Sequence, residues 1–170
     1  MKVLRQLSRL EPIVLEALEH LADDDWRRAP EGKWTLAQIV EHLAIALDLV
    51  AEGFRALENE QQMTRQATPA QSVMRHALLG QGELPEGIKA PDISLPSESP
   101  EVDLVVARFR MGLEQTRALV ESWPEDKQIG IFVRHPVLGD LNLPEWVRFH
   151  YVHCCLHARQ IEKRLSWLRQ

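Results

Sequence analysis

The chain has 170 residues, of which 45% are apolar and 26% charged, and a formal net charge of −5 at neutral pH. That length fits a single domain over 1–170 with a substantial core, and the composition is that of an ordinary soluble globular protein. No basic stripe offers a footprint for nucleic acid, and charges break each apolar run short of the ~20 residues that cross a membrane.

The opening stretch "MKVLRQLSRLEP" lacks a signal peptide's apolar core and cleavage site, so a cytoplasmic location is expected. The two cysteines, Cys154 and Cys155, are adjacent and form no framework of separated pairs. There is no "CxxC", P-loop, "GxGxxG" or serine elbow. The seven histidines are therefore the most informative polar residues.

In chain order, "SRLEPIVLEALEHLA" predicts a first helix over about 9–22, with an earlier turn from Val3 as an option. Ser8 and Glu11 stand at capping-box spacing, and Pro12 falls in the first turn. "DDDWRRAPEGK" reads as a loop. Thr35 and Gln38 then form a capping box for a long second helix to about residue 60, with Trp34 and Ile39 placed for a hydrophobic staple. "QSVMRHALLG" predicts a short helix, and "QGELPEGIKAPDISLPSESP" an ordered loop. Ser99 as N-cap and Pro100 at the first position predict a third long helix through 122. "WPEDKQIGIFVRHPVLGDL" reads as a loop with one extended piece at "IGIFV". Asn142 and Glu145 cap a last helix to about Trp167. Four long helices, with a long crossover between the second and third, predict an all-α four-helix bundle.

On the last helix, His157 falls about 40° and His150 about 60° from His153. Trp146, Phe149, Leu156 and Ile161 share that arc or flank it, and the charged residues lie opposite. His42 in the second helix sits in an apolar arc with Ile39, Ala46 and Val50, while Glu41 points away. The i, i+4 pair His153 and His157 can place two imidazoles on one metal, and His42 can complete a three-histidine site. A lone inward histidine is more often a hydrogen-bonded core residue. Three neutral imidazoles without a carboxylate are harder to satisfy without a metal.

His150 is the candidate catalytic residue, as a proton shuttle on the same face, with plain packing as its bland alternative. His135 is a second candidate base, although His-Pro in a loop also reads as a turn. Gln160 can orient an imidazole or bind a loop backbone. Cys154 reads as a small core residue, Cys155 carries no role, and His20 and His76 read as surface residues.

"KWTLAQIVEHLA" and "HPVLGDLNLPEWVRFHYVHCCLHARQI" resemble the DinB/YfiT-like superfamily. There a tryptophan opens helix two, a histidine follows eight residues later, and the last helix ends in "HxxxHxxQ". The resemblance spans nearly the whole chain. It implies an up-down-down-up bundle, often a homodimer, with a divalent metal, usually zinc or nickel, on His42, His153 and His157. Characterised members include metal-dependent hydrolases and thiol-dependent S-transferases or isomerases, and a small-molecule substrate is expected here. An open metal position can lower the pKa of water to about 7, or hold a thiolate. Three readings stay open: a hydrolase, a thiol transferase, and a non-catalytic metal-stabilised bundle.

Overall fold

The computed structural model describes residues 2–82 and 89–170. It is mostly helical, with one small two-stranded sheet. No helix among the described residues is long and apolar enough to cross a membrane.

The helix predicted over about 9–22 starts near the expected place but is shorter, and a separate helix precedes it. Helix α1 spans Lys2–Leu7 and α2 spans Leu10–Leu15, followed by a 3-10 turn over Glu16–Leu18. Pro12 explains the break. It has no N–H to give the Ser8 carbonyl, and its ring crowds that carbonyl, so the helical ladder cannot run through. The expected Ser8–Glu11 capping box is absent: Arg9 is the cap residue of α2, and the Ser8 hydroxyl donates to the Arg5 carbonyl at 3.1 Å. The turn from Val3 is real and belongs to α1. Within the predicted loop that follows, Asp23–Trp26 forms the one-turn helix α3.

Helix α4, Leu36–Ala56, opens on the expected capping box, with Gln38 N–H donating to Thr35 Oγ1 at 3.2 Å and Thr35 N–H to Gln38 Oε1 at 3.0 Å. Helix α5, Pro69–His76, begins on a capping box between Thr68 and Gln71 and runs into a π turn over Ala77–Gln81. The predicted loop over 81–100 is described only in part, since residues 83–88 lie outside the described residues. Helix α6, Val102–Ser122, starts later than expected. Its cap residue is Glu101, with no side-chain cap, while Ser99 and Pro100 stay outside the helix and Pro100 is buried.

The predicted loop after α6 holds more structure than its sequence suggests. Helix α7 spans Glu125–Gly130, and strands β1, Phe132–His135, and β2, Gly139–Asn142, pair antiparallel with Val133 opposite Leu141. The expected single extended piece at 129–133 is thus a helix end and the first strand of a hairpin. Helix α8, Leu143–Leu168, starts on the predicted Asn142–Glu145 capping box. Trp146 Nε1 donates to the Val133 carbonyl at 3.0 Å, which ties the start of α8 to β1.

Helix α4 packs along α6, and α8 packs along α1, α2 and α4. One core cluster gathers Leu10, Val14, Leu36, Leu43, Phe109 and Val147; a second gathers Phe54, Trp123, Ile131, Leu141 and Trp146 beneath the hairpin. The hairpin turn depends on Gly139. Its φ is +74°, and a Cβ there would lie 2.8 Å from the Ala67 Cβ. A left-handed backbone and a steric clash oppose a side chain together. Gly139→Ala is therefore expected to lower stability by about 2–4 kcal/mol. Urea denaturation measures this, and an unchanged midpoint would refute it.

Candidate metal centre

Two elements bring the histidines together: α4 carries His42, and one face of α8 carries His153 and His157. One ring nitrogen from each of these three lies within 4.8 Å of the others. His153 Nε2 stands between the other two, 3.1 Å from His42 Nε2 and 3.0 Å from His157 Nε2. His42 and His157 are buried. His153 is partly exposed as a residue, yet its Nδ1 is buried and has no partner among the described residues.

The far nitrogens assign the tautomers. His42 Nδ1–H donates to the Ser94 carbonyl at 2.7 Å, and His157 Nδ1–H donates to Gln160 Oε1 at 3.0 Å. A neutral imidazole has one proton, so both Nε2 atoms turn lone pairs toward His153. A single N–H on His153 Nε2 can satisfy only one of them well. The other stays an acceptor without a donor, as does His153 Nδ1, at about 1–3 kcal/mol each. With the His153 proton on Nδ1 instead, a cation accepts the lone pairs of all three Nε2 atoms at once. Tetrahedral zinc with Zn–N of about 2.0–2.1 Å needs nitrogens about 3.3 Å apart, close to the two separations at His153 Nε2. The donor set therefore fits a divalent metal. Among the described residues, no further histidine, cysteine or carboxylate joins the group.

Burial keeps the cluster neutral. It is the main cause of the lowered pKa of His42, against which the Ser94 bond works. Burial, then the neighbouring His42, brings His157 down to about 4. Burial and then His157 and His42 hold His153 well below the ordinary range. Neutral imidazole is the form that binds metal.

Aromatic rings wall the site. Trp34 lies 5.0 Å from His42 and stacks on His157 at 6.4 Å between centroids, and Phe149 lies 5.1 Å from His153. Arg164 Nε donates to the Trp34 carbonyl at 2.9 Å and so holds Trp34 against α8. The carbonyl of Ser94 is positioned from outside. Glu41 accepts from Ser97 N–H at 2.7 Å and Ser97 Oγ at 2.9 Å, and Gln38 Nε2 donates to the Ser97 carbonyl at 3.0 Å. Glu41 thus points away from the histidines, as its place on the wheel predicts, and anchors the segment that orients His42.

Sequence reasoning missed Ser94 and Arg164. A backbone acceptor carries no side-chain signature, and Arg164 looks like any arginine on a polar helix face. Gln160 is settled in favour of an imidazole partner.

His150 is buried between Trp146 and Phe149, at 5.8 and 5.7 Å, and stands outside the group of three. Its Nε2 is buried without a partner among the described residues, and burial, followed by the nearby His135, pushes its pKa down to about 3. His135 Nδ1 accepts from Val137 N–H at 3.1 Å and Leu138 N–H at 3.2 Å. That nitrogen is committed to the hairpin turn and unavailable as a base, so the turn reading holds. Cys154 is a buried core residue whose thiol pKa burial raises. His20 and His76 are exposed.

The fold and the cluster define a class: a helical protein with three convergent imidazoles able to hold a metal ion. The DinB superfamily model matches residues 6–161, and the chain belongs to that superfamily. Comparison with curated proteins and with solved structures returned no match.

Proposed function

We propose that the chain is a metal-dependent hydrolase that holds one zinc or nickel ion on His42, His153 and His157 and acts on a small molecule. The observation carrying this reading is the set of three inward Nε2 atoms, two of them fixed as lone-pair donors by Ser94 and Gln160. A three-nitrogen set leaves a position for substrate, whereas structural sites are closed by four protein ligands. Packing of α4 along α6, with α8 along α1, α2 and α4, supports the up-down-down-up bundle of this superfamily.

When bound, a divalent cation supplies Lewis acidity at that position, enough to bring the pKa of water to about 7. The chain's residues do the rest. Ser94 and Gln160 hold two ligand rings in the metal-binding tautomer. Trp34 and Phe149 exclude water and offer apolar faces to a substrate. His150 stands three residues before His153, with an Nε2 that has no partner among the described residues. Its low pKa keeps it a neutral imidazole, which hydrogen-bonds a reacting group and takes a proton only in passing.

The test is a screen of esters, amides and thiol adducts with metal-loaded protein. Turnover is expected on an ester or amide, lost on chelation and restored by the metal. His150→Ala should keep the metal and lose about 10²–10⁴-fold in turnover, the range for one acid–base group. Turnover unchanged per folded molecule would reduce His150 to packing. Activity confined to thiol adducts would overturn hydrolysis in favour of thiol transfer, and no metal-dependent turnover at all would favour the non-catalytic bundle.

A further inference from the structure

A second site lies away from the histidines. A cavity of about 550 Å³ opens where α1, α5 and the start of α8 meet, a size typical of small-molecule sites. Its wall carries Lys2, Arg75, His76 and Arg148, in a chain whose net charge is −5. The wall's carboxylate, Glu145, is already engaged. Arg65 grips its two oxygens at 2.9 and 2.7 Å, and one of them also accepts from the Asn142 N–H at 2.9 Å. Arg148 Nε donates to the Leu79 carbonyl at 2.9 Å, which fixes the guanidinium while its terminal nitrogens make no hydrogen bond among the described residues. Arg75 has no ion-pair partner among the described residues, and its Nη1 is buried without an acceptor. Val3, Leu79 and Pro144 supply an apolar wall beside these charges.

We propose that this cavity binds a small dianion, a phosphate monoester with an apolar body, whose head group pairs with Arg75 and Arg148. Forked guanidinium donors match phosphate oxygens, and charge assistance roughly doubles such hydrogen bonds. Three cationic side chains, Lys2, Arg75 and Arg148, around one neutralised carboxylate favour two negative charges over one. The site is separate from the metal centre, since Arg148 lies about 140° around α8 from His153.

Titration calorimetry on the full metal-loaded chain tests this with phenyl phosphate, inorganic phosphate and benzoate. Phenyl phosphate is expected to bind once per chain, at least tenfold tighter than the other two, and to weaken as salt is raised. Arg75→Gln and Arg148→Gln should each weaken it tenfold or more with metal content unchanged. Should Arg148→Gln fail to fold, Arg75→Gln decides, because no described hydrogen bond is lost with the Arg75 side chain. Binding that survives both substitutions would belong to the metal or to another surface and would overturn the proposal. So would benzoate binding as tightly as phenyl phosphate, or no binding by any of the three.

Discussion

His153→Ala is expected to empty the chain of metal, from about one divalent ion per chain to near none. His153 Nε2 is the atom that both other ring nitrogens face, at 3.1 and 3.0 Å. Its removal leaves two donors on different helices with nothing between them. Gln160→Ala removes only the acceptor that orients His157, so it should weaken metal binding by a smaller factor, about 10–100-fold. Elemental analysis of untagged protein measures both. Metal content unchanged in His153→Ala would sink the ligand assignment. Chelation of the unsubstituted chain should lower Tm while helical circular dichroism persists, because neither core cluster includes any of the three histidines. At a metal concentration of 100 Kd the lost stabilisation is about 2.7 kcal/mol, or about 5–10 °C for a chain of this size. Complete unfolding on chelation would instead identify a site on which folding depends.

The metal-free protein should lose stability steeply as pH falls from about 6.5 to 4. His157 and His135 are held down to about 4 and His150 to about 3, in each case chiefly by burial. Over that range the unfolded chain binds protons at its ordinary histidine pKa of about 6.5 while the folded chain does not. The stabilisation is therefore full above about 6.5 and drains away as pH drops toward the folded values. Each pKa unit of offset is worth about 1.4 kcal/mol, so one group held at about 4 accounts for about 3 kcal/mol by pH 4, and with several coupled groups a larger loss is expected. Urea denaturation of chelator-treated protein at stepped pH gives the slope. His150→Leu removes one titrating group and should make the slope shallower, whatever it does to stability at neutral pH. A stability that stays flat from 6.5 to 4 would show that these imidazoles are not held neutral by the fold.

Much of the scaffold and part of the site were legible from residue order because they are local. A capping box needs only residues three apart, so Thr35–Gln38 and Asn142–Glu145 announced α4 and α8 and formed as expected. The four-residue step from His153 to His157 puts both rings on one face of any helix, and His42 could be set on an apolar arc the same way. Ser8–Glu11 had the same local signature and failed, because Pro12 broke the ladder at Ser8. The hairpin was half seen. Its second strand, Gly139–Asn142, is short, and what makes it a strand is pairing with β1 rather than its own pattern.

By itself, then, the sequence determined which helices start where a side chain caps them, and which faces carry imidazoles. Only the tertiary structure decided what those imidazoles meet. The Ser94 carbonyl reaches His42 from 52 positions away, and Glu41 and Gln38 hold the nearby Ser97 on the outside of α4. His135, a candidate base by residue type, is occupied by two backbone N–H groups of its own turn. His150 is shut between two aromatic rings. Helical periodicity is a short-range property of the chain. Tautomer, burial and metal competence depend on partners that arrive from elsewhere in the fold, and no spacing along one helix encodes them.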